Sequence, residues 1–159
     1  MSEAELKAAF VPKFPLFVQW PAAAAKPASL PLVIGVLDGA EIMPHLEALV
    51  TGRSVGGRPL SLKVCRDARE ARQCHIVFLG SGDAGRIQEV LRQLEGASVL
   101  TVSDAPDFAS QGGMVNLVTT SRRVRLEVNL DAIQRVALRI DPQLLQMARV
   151  VKTAAPPSP

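Results

Sequence analysis

Gly80, Ser81, Gly82, Asp83, Ala84 and Gly85 have the glycine spacing with which the amides of a helix N-terminus cradle a pyrophosphate. The run follows an apolar strand pattern ending at Leu79 and opens a helical one. Asp104 stands nineteen residues beyond Gly85, where a carboxylate would take ribose hydroxyls. Yet the unit belongs to the third strand of the pattern, not the first. Too little chain surrounds it for two mononucleotide-binding halves and a substrate site. A glycine-rich turn between strand and helix is the expectation, and no cofactor is expected.

Cys65 and Cys74 are the other chemically interesting pair, nine positions apart. If their strands are parallel neighbours, Cys65 ends one and Cys74 begins the next. A strand of five or six residues, at roughly 3.3 Å each, would hold them roughly 17 to 20 Å apart. A disulfide needs Cα atoms within about 7 Å, so no bridge between Cys65 and Cys74 is expected. With His45 and His75 they lack the short repeated spacing of a zinc site, and no metal is expected. Ser103 beside Asp104, and the two histidines, supply parts of a hydrolytic triad without its order. No nucleophile elbow, Walker loop or metalloprotease helix is present. Arg122, Arg123 and Arg125 read as a solvated basic turn.

The elements that would position these residues are legible from periodicity. Leu6, Phe10, Phe14, Phe17 and Val18 lie at helical spacing, and Pro12 and Pro15 must kink or interrupt that helix. Pro21 to Ser29 reads as a connector. Leu30 to Asp38 is a near-continuous apolar run, the mark of a strand buried on both faces of a parallel sheet. Ile42 to Gly52 is a short helix, Pro59 to Cys65 a strand, Asp67 to Gln73 about two turns of helix, and His75 to Gly80 a buried strand. Arg86 to Leu94 is helical and Ser98 to Asp104 is a strand. The rhythm βαβαβαβ favours a mostly parallel sheet with helices on both faces. Met114 to Thr119 and Val124 to Asn129, joined by a short polar turn, form an antiparallel hairpin. Leu130 to Leu138 and Pro142 to Val151 are helical, the second capped by Asp141. The expected fold is α/β: one domain over residues 1–152 with a mostly parallel mixed sheet, a C-terminal hairpin and two C-terminal helices. A disordered tail is expected over 153–159.

Composition sets outer limits. The 159 residues are 48% hydrophobic and 21% charged, so a folded core is expected. The net charge is only +3 and aromatic residues are 4% with no Tyr, which argues against a stacking platform for nucleic acid. No run approaches the length of a membrane-spanning helix, and MSEAELKAAF lacks the basic start of a secretory leader.

An ordered set of islands carries a resemblance: Lys7 to Phe10 and Phe17 to Pro21, Gly57-Arg58-Pro59, Cys74 to Leu79, Val99 to Asp104, Gly112 to Leu117, Val124 to Leu130, and Leu144 to Ala148. Together they resemble the YfiR-like family of small bacterial periplasmic proteins, over Glu5 to Val151. The resemblance implies a homodimeric, non-enzymatic periplasmic signalling protein. Such a protein binds the periplasmic sensor domain of a membrane diguanylate cyclase and represses it, lowering cyclic di-GMP. It also implies redox-responsive cysteine pairs, one joining the first strand to the cysteine before the CHIVFL-type strand, the other in the segment before the hairpin. This chain has no cysteine in Leu30 to Asp38 or in Ala109 to Leu117, so neither pair is complete.

A docking module needs exposed apolar side chains, and the candidates for a partner or dimer interface are Phe14, Phe17, Trp20, Leu144, Leu145 and Met147. The alternative function is a sensor that binds a nucleotide-like or anionic small molecule at the carboxyl edge of the sheet, through Asp38, Gly80, Ser81, Gly82 and Asp104.

Overall fold

The computed structural model describes residues 2–22, 30–80 and 83–154. Helix α1 spans Glu3–Phe10, opened by a capping box in which Ser2 and Glu5 bond each other's backbone N–H. The interrupting prolines act as expected: beyond Phe10 the chain tightens into a 3-10 helix over Val11–Leu16, with Pro15 inside it. A short strand β1, Val18–Gln19, then pairs antiparallel with a later strand, β9, Arg139–Ile140.

The main sheet is built from β2 (Leu32–Leu37), β3 (Ser54–Val55), β4 (Arg58–Cys65), β5 (Ile76–Leu79), β6 (Leu100–Ser103), β7 (Val115–Thr120), β8 (Arg123–Val128) and β10 (Ala148–Val150). Its order is β10-β8-β7-β6-β5-β2-β4-β3. The pairs β2/β4, β2/β5, β5/β6, β6/β7 and β8/β10 are parallel, while β3/β4 and β7/β8 are hairpins. The mixed, mostly parallel α/β sheet read from the sequence is the observed fold.

All four residues of β5 and of β6 are buried, so helices must cover both faces. On one face lie α1, the 3-10 helix and α2 (Met43–Val50), packed over Ile34, Val36, Ile76, Phe78, Leu100 and Val102. The other face is covered by α3 (Ala68–Ala71) and α4 (Ala84–Gln93), over Leu37, Val77 and Leu79 with Phe108. Burying each such side chain contributes about 1.5 to 3 kcal/mol, which makes these central strands the main source of stability.

The C-terminal third departs from expectation. Helix α5 (Leu130–Arg135) ends early, and α6 (Pro142–Gln146) stops after five residues. Asp141 caps α6 as foreseen, its carboxylate accepting from Gln143 N–H at 2.8 Å. Ala148–Val150 is not helix but strand β10, laid parallel to β8 at the sheet's outer edge. The hairpin is therefore not terminal in the sheet. The β-branched pair Val150-Val151 disfavours helix continuation, and the edge of β8 offered unpaired amides and carbonyls.

Asn129 fastens this third of the chain. It is fully buried; its Oδ1 accepts from Ala132 N–H at 3.1 Å, capping α5. Its Nδ2 donates to Ala109 O and Thr153 Oγ1, both at 2.8 Å. The described part of the expected tail, Thr153 and Ala154, is thus held against the body, with Ala154 N–H donating to Ser110 O at 2.7 Å. Residues 155–159 lie outside the described residues, as do 23–29 of the connector.

Asn129→Ala is expected to lower unfolding free energy by about 2 to 3 kcal/mol, since one side chain supplies a helix cap, a buried bond and a partly buried one. Urea denaturation measures it; a loss under about 0.5 kcal/mol would contradict this role.

Candidate functional site

Three features could carry function: a cleft at the carboxyl edge, a groove beside the β1/β9 ribbon, and the thiol pair over β2.

The carboxyl-edge cleft has a volume of about 540 Å³ and is lined by Glu3, Lys7, Asp38, Glu41, Gly80 and Asp104 among others. It lies where β2 and β5, adjacent in the sheet, send their following connections away from each other, the usual place for a ligand in an open α/β sheet. Asp38, Gly80 and Asp104 thus line one cleft; Ser81 and Gly82 lie outside the described residues. Gly80 is required by close approach, because a Cβ there would stand 2.6 Å from Asp38 O and 2.8 Å from Gly39 Cα.

The described polar groups of this cleft are largely carboxylates, and those of Asp38 and Asp104 are already paired. Asp83 caps α4, its carboxylate accepting from Gly85 N–H at 2.9 Å and Arg86 N–H at 3.2 Å, so the protein's own anion occupies the amides a phosphate would use. Asp104 does not stand free for ribose hydroxyls: its Oδ2 holds Lys7 Nζ at 2.8 Å. Asp38 Oδ2 holds Arg86 Nε at 3.1 Å. Four carboxylates, those of Glu3, Asp38, Glu41 and Asp104, line the cleft; among the described residues Lys7 pairs with Asp104 and Arg86 with Asp38, which leaves an acidic balance. An anionic ligand would be repelled.

Lys7 is largely buried. Desolvation works against its charge, but the hydrogen bond and charge of Asp104, with Glu3 behind, prevail and raise it above the ordinary lysine value.

At the opposite, amino edge, Trp20, Arg58 and His75 meet. Trp20 Nε1 donates to His75 O at 3.0 Å, and the two rings stand edge to face with centroids 5.6 Å apart. His75 Nδ1 accepts from Val33 N–H at 3.0 Å, and Arg58 Nη2 lies 3.3 Å from His75 Nε2. His75 is buried and serves as a structural acceptor.

Trp20 also lines a groove of about 770 Å³ with Leu130, Leu138, Ile140 and Leu145. Of the six side chains expected at an interface, Trp20 and Leu145 share this groove, and Met147 is 65% exposed. Phe17 is half-buried against the core. Phe14 and Leu144 are corrected: at 1% and 3% exposure they are core, because the 3-10 helix and the short α6 turn them inward.

The thiols bring the second correction. Cys65 Sγ and Cys74 Sγ are 3.7 Å apart, both buried and not joined as a disulfide. The expected separation along a strand fails for two reasons. β4 and β5 are not neighbours, since β2 lies between them. And Cys74 is not extended; it sits in the bend after α3, its N–H donating to Ala71 O at 3.0 Å, folded over the sheet face. The hydrogen bond from Cys74 is the largest influence on Cys65, with Lys63 assisting, and together they hold its thiol below the usual value against the opposing effect of burial.

Among the described residues no helix is long and apolar enough to cross a membrane, and no three metal-ligating side chains cluster. Fold and surfaces together define a mixed α/β domain with a polar cleft at one sheet edge and an apolar groove near the other. The family model for YfiR/HmsC-like proteins matches residues 4–149, and the chain belongs to that family.

Lys7→Gln should cost about 1 kcal/mol at neutral pH, tempered by the partial exposure of Asp104. Because the folded pKa is raised, the contribution of Lys7 is complete below the ordinary lysine value of about 10.4 and is lost as pH rises through the raised one. Urea midpoints of the two proteins should differ at about pH 8 and converge as pH rises through the raised lysine value; a gap that persists once Lys7 is neutral would show that the ion pair is not its source.

Proposed function

We propose that this chain is a non-enzymatic periplasmic regulator of cyclic di-GMP signalling. In this reading it binds the periplasmic sensor domain of a membrane diguanylate cyclase, as part of a homodimer, and restrains the enzyme. Membership of the YfiR/HmsC-like family over 4–149 supports the class of signalling. The single structural observation that supports docking is the groove between the β1/β9 ribbon and α6, where Trp20 and Leu145 form an apolar floor beside polar Gln19, Gln134 and Arg139. An apolar centre with a polar rim is the composition of a protein-recognition surface. The residues over 1–152 act in this proposal as one domain.

Repression then requires no chemistry in this chain. Binding the resting form of the sensor more tightly than its signalling form shifts the cyclase toward rest, by no more than the difference in affinity. The four carboxylates of the carboxyl-edge cleft disfavour the anionic-ligand alternative.

The paired substitution Leu145→Glu and Met147→Glu places charge at the groove and on the exposed residue beside it. It should weaken binding to the sensor domain at least about tenfold by calorimetry, while the melting temperature shifts by only a few degrees. In cells carrying the cyclase, cyclic di-GMP should rise relative to wild type. Unchanged affinity with an intact fold would remove the groove as the docking surface; absence of any complex with the wild-type protein would remove the regulator reading itself.

A further inference from the structure

We propose that Cys65 and Cys74 form a built site for an intrachain disulfide, which ties the carboxyl end of β4 to the turn before β5 across the face of β2. It is neither pairing that the family resemblance implies, since each of those needs a cysteine this chain lacks.

The geometry is close to bonding. The sulfurs are 3.7 Å apart, against about 2.05 Å in a disulfide. The remaining closure of about 1.6 Å falls on Cys74, which belongs to no strand and whose Sγ contact with Glu70 O, at 3.7 Å, is a weak one. Cys65, by contrast, is fixed by its register opposite Leu37.

The space in which the sulfurs meet exists because residue 35 is glycine. A Cβ on Gly35 would stand 2.6 Å from Cys74 Sγ and 2.8 Å from Cys65 Sγ. Gly35 lies mid-strand in β2, where glycine packs nothing of its own and costs strand stability, so its benefit here is the room it leaves for two sulfurs.

The oxidant is a disulfide, such as oxidised glutathione or a dithiol oxidase. The Cys65 thiolate attacks it, forming a mixed disulfide and expelling one thiolate. The Cys74 thiolate then attacks the Cys65 sulfur and expels the second. Two S–H bonds are lost and one S–S bond forms in the protein. Two electrons pass to the oxidant, and the two protons leave on the released thiols.

The test is an equilibrium. Wild-type protein is brought to equilibrium in one glutathione redox buffer, both folded and in concentrated urea. The folded state is reached by refolding from urea, so that burial does not block exchange. Alkylation and non-reducing peptide mass mapping then give the bridged-to-dithiol ratio. That ratio should be at least about a hundredfold higher in the folded state, and by linkage the bridged protein should unfold at higher urea. Equal ratios in the two states, an unchanged urea midpoint, or bridges formed mainly between chains would overturn the proposal.

Gly35→Ala should reduce the folded ratio at least about tenfold, and Cys65→Ser should abolish the two-unit mass loss. An undiminished ratio in folded Gly35→Ala would refute the role given to the glycine. If that variant does not fold, the wild-type comparison decides alone.

Discussion

The structure depends on one constraint: the central strands β5 and β6 are buried on both faces along their whole length. Strands with no wet face must be covered twice, so the chain has to cross from one side of the sheet to the other. It does so by placing α1 and α2 on one side and α3 and α4 on the other. The side-switch between β4 and β5 has two results. It leaves the carboxyl ends of β2 and β5 adjacent, making the cleft, and it carries the turn holding Cys74 over β2. Cleft and thiol pair are by-products of the same crossover.

The same constraint explains what was legible in the sequence. Leu32 to Leu37 and Ile76 to Leu79 are near-continuous apolar runs, and their environment is uniform enough to be read directly. The helix α4 announced itself through Ile87, Val90 and Leu94 on its buried face. Ala148–Val150 was not legible, because three residues of a partly exposed edge strand carry no period and their pairing is decided by β8. Nor was the meeting of Cys65 and Cys74. Sequence gives the length of a strand, but a bend that turns a side chain sideways over a neighbouring strand is a tertiary fact.

The glycine-rich loop shows a different limit. Its spacing was visible, as was the carboxylate downstream, and the structure does bring Gly80 and Asp104 to one cleft. What spacing could not show was partner choice. Asp83 takes the helix amides and Lys7, from a helix nearly a hundred residues away, takes Asp104. Conversely, Arg58, His75 and Trp20 came from three of the islands that carried the family resemblance, without any hint that they would touch. The bond from Trp20 goes to the backbone carbonyl of His75, and such a bond leaves no complementary residue type in the sequence.

Trp20 has one more consequence. The chain contains a single tryptophan and no tyrosine, so almost all of its near-ultraviolet absorption and emission belongs to one indole. That ring is wedged against His75 on one side and faces the apolar groove on the other. Intrinsic fluorescence of this protein is therefore a local optical probe of the groove and of the sheet's amino edge, silent about the distant cleft. Its colour and quenching would register an arriving partner without any added label.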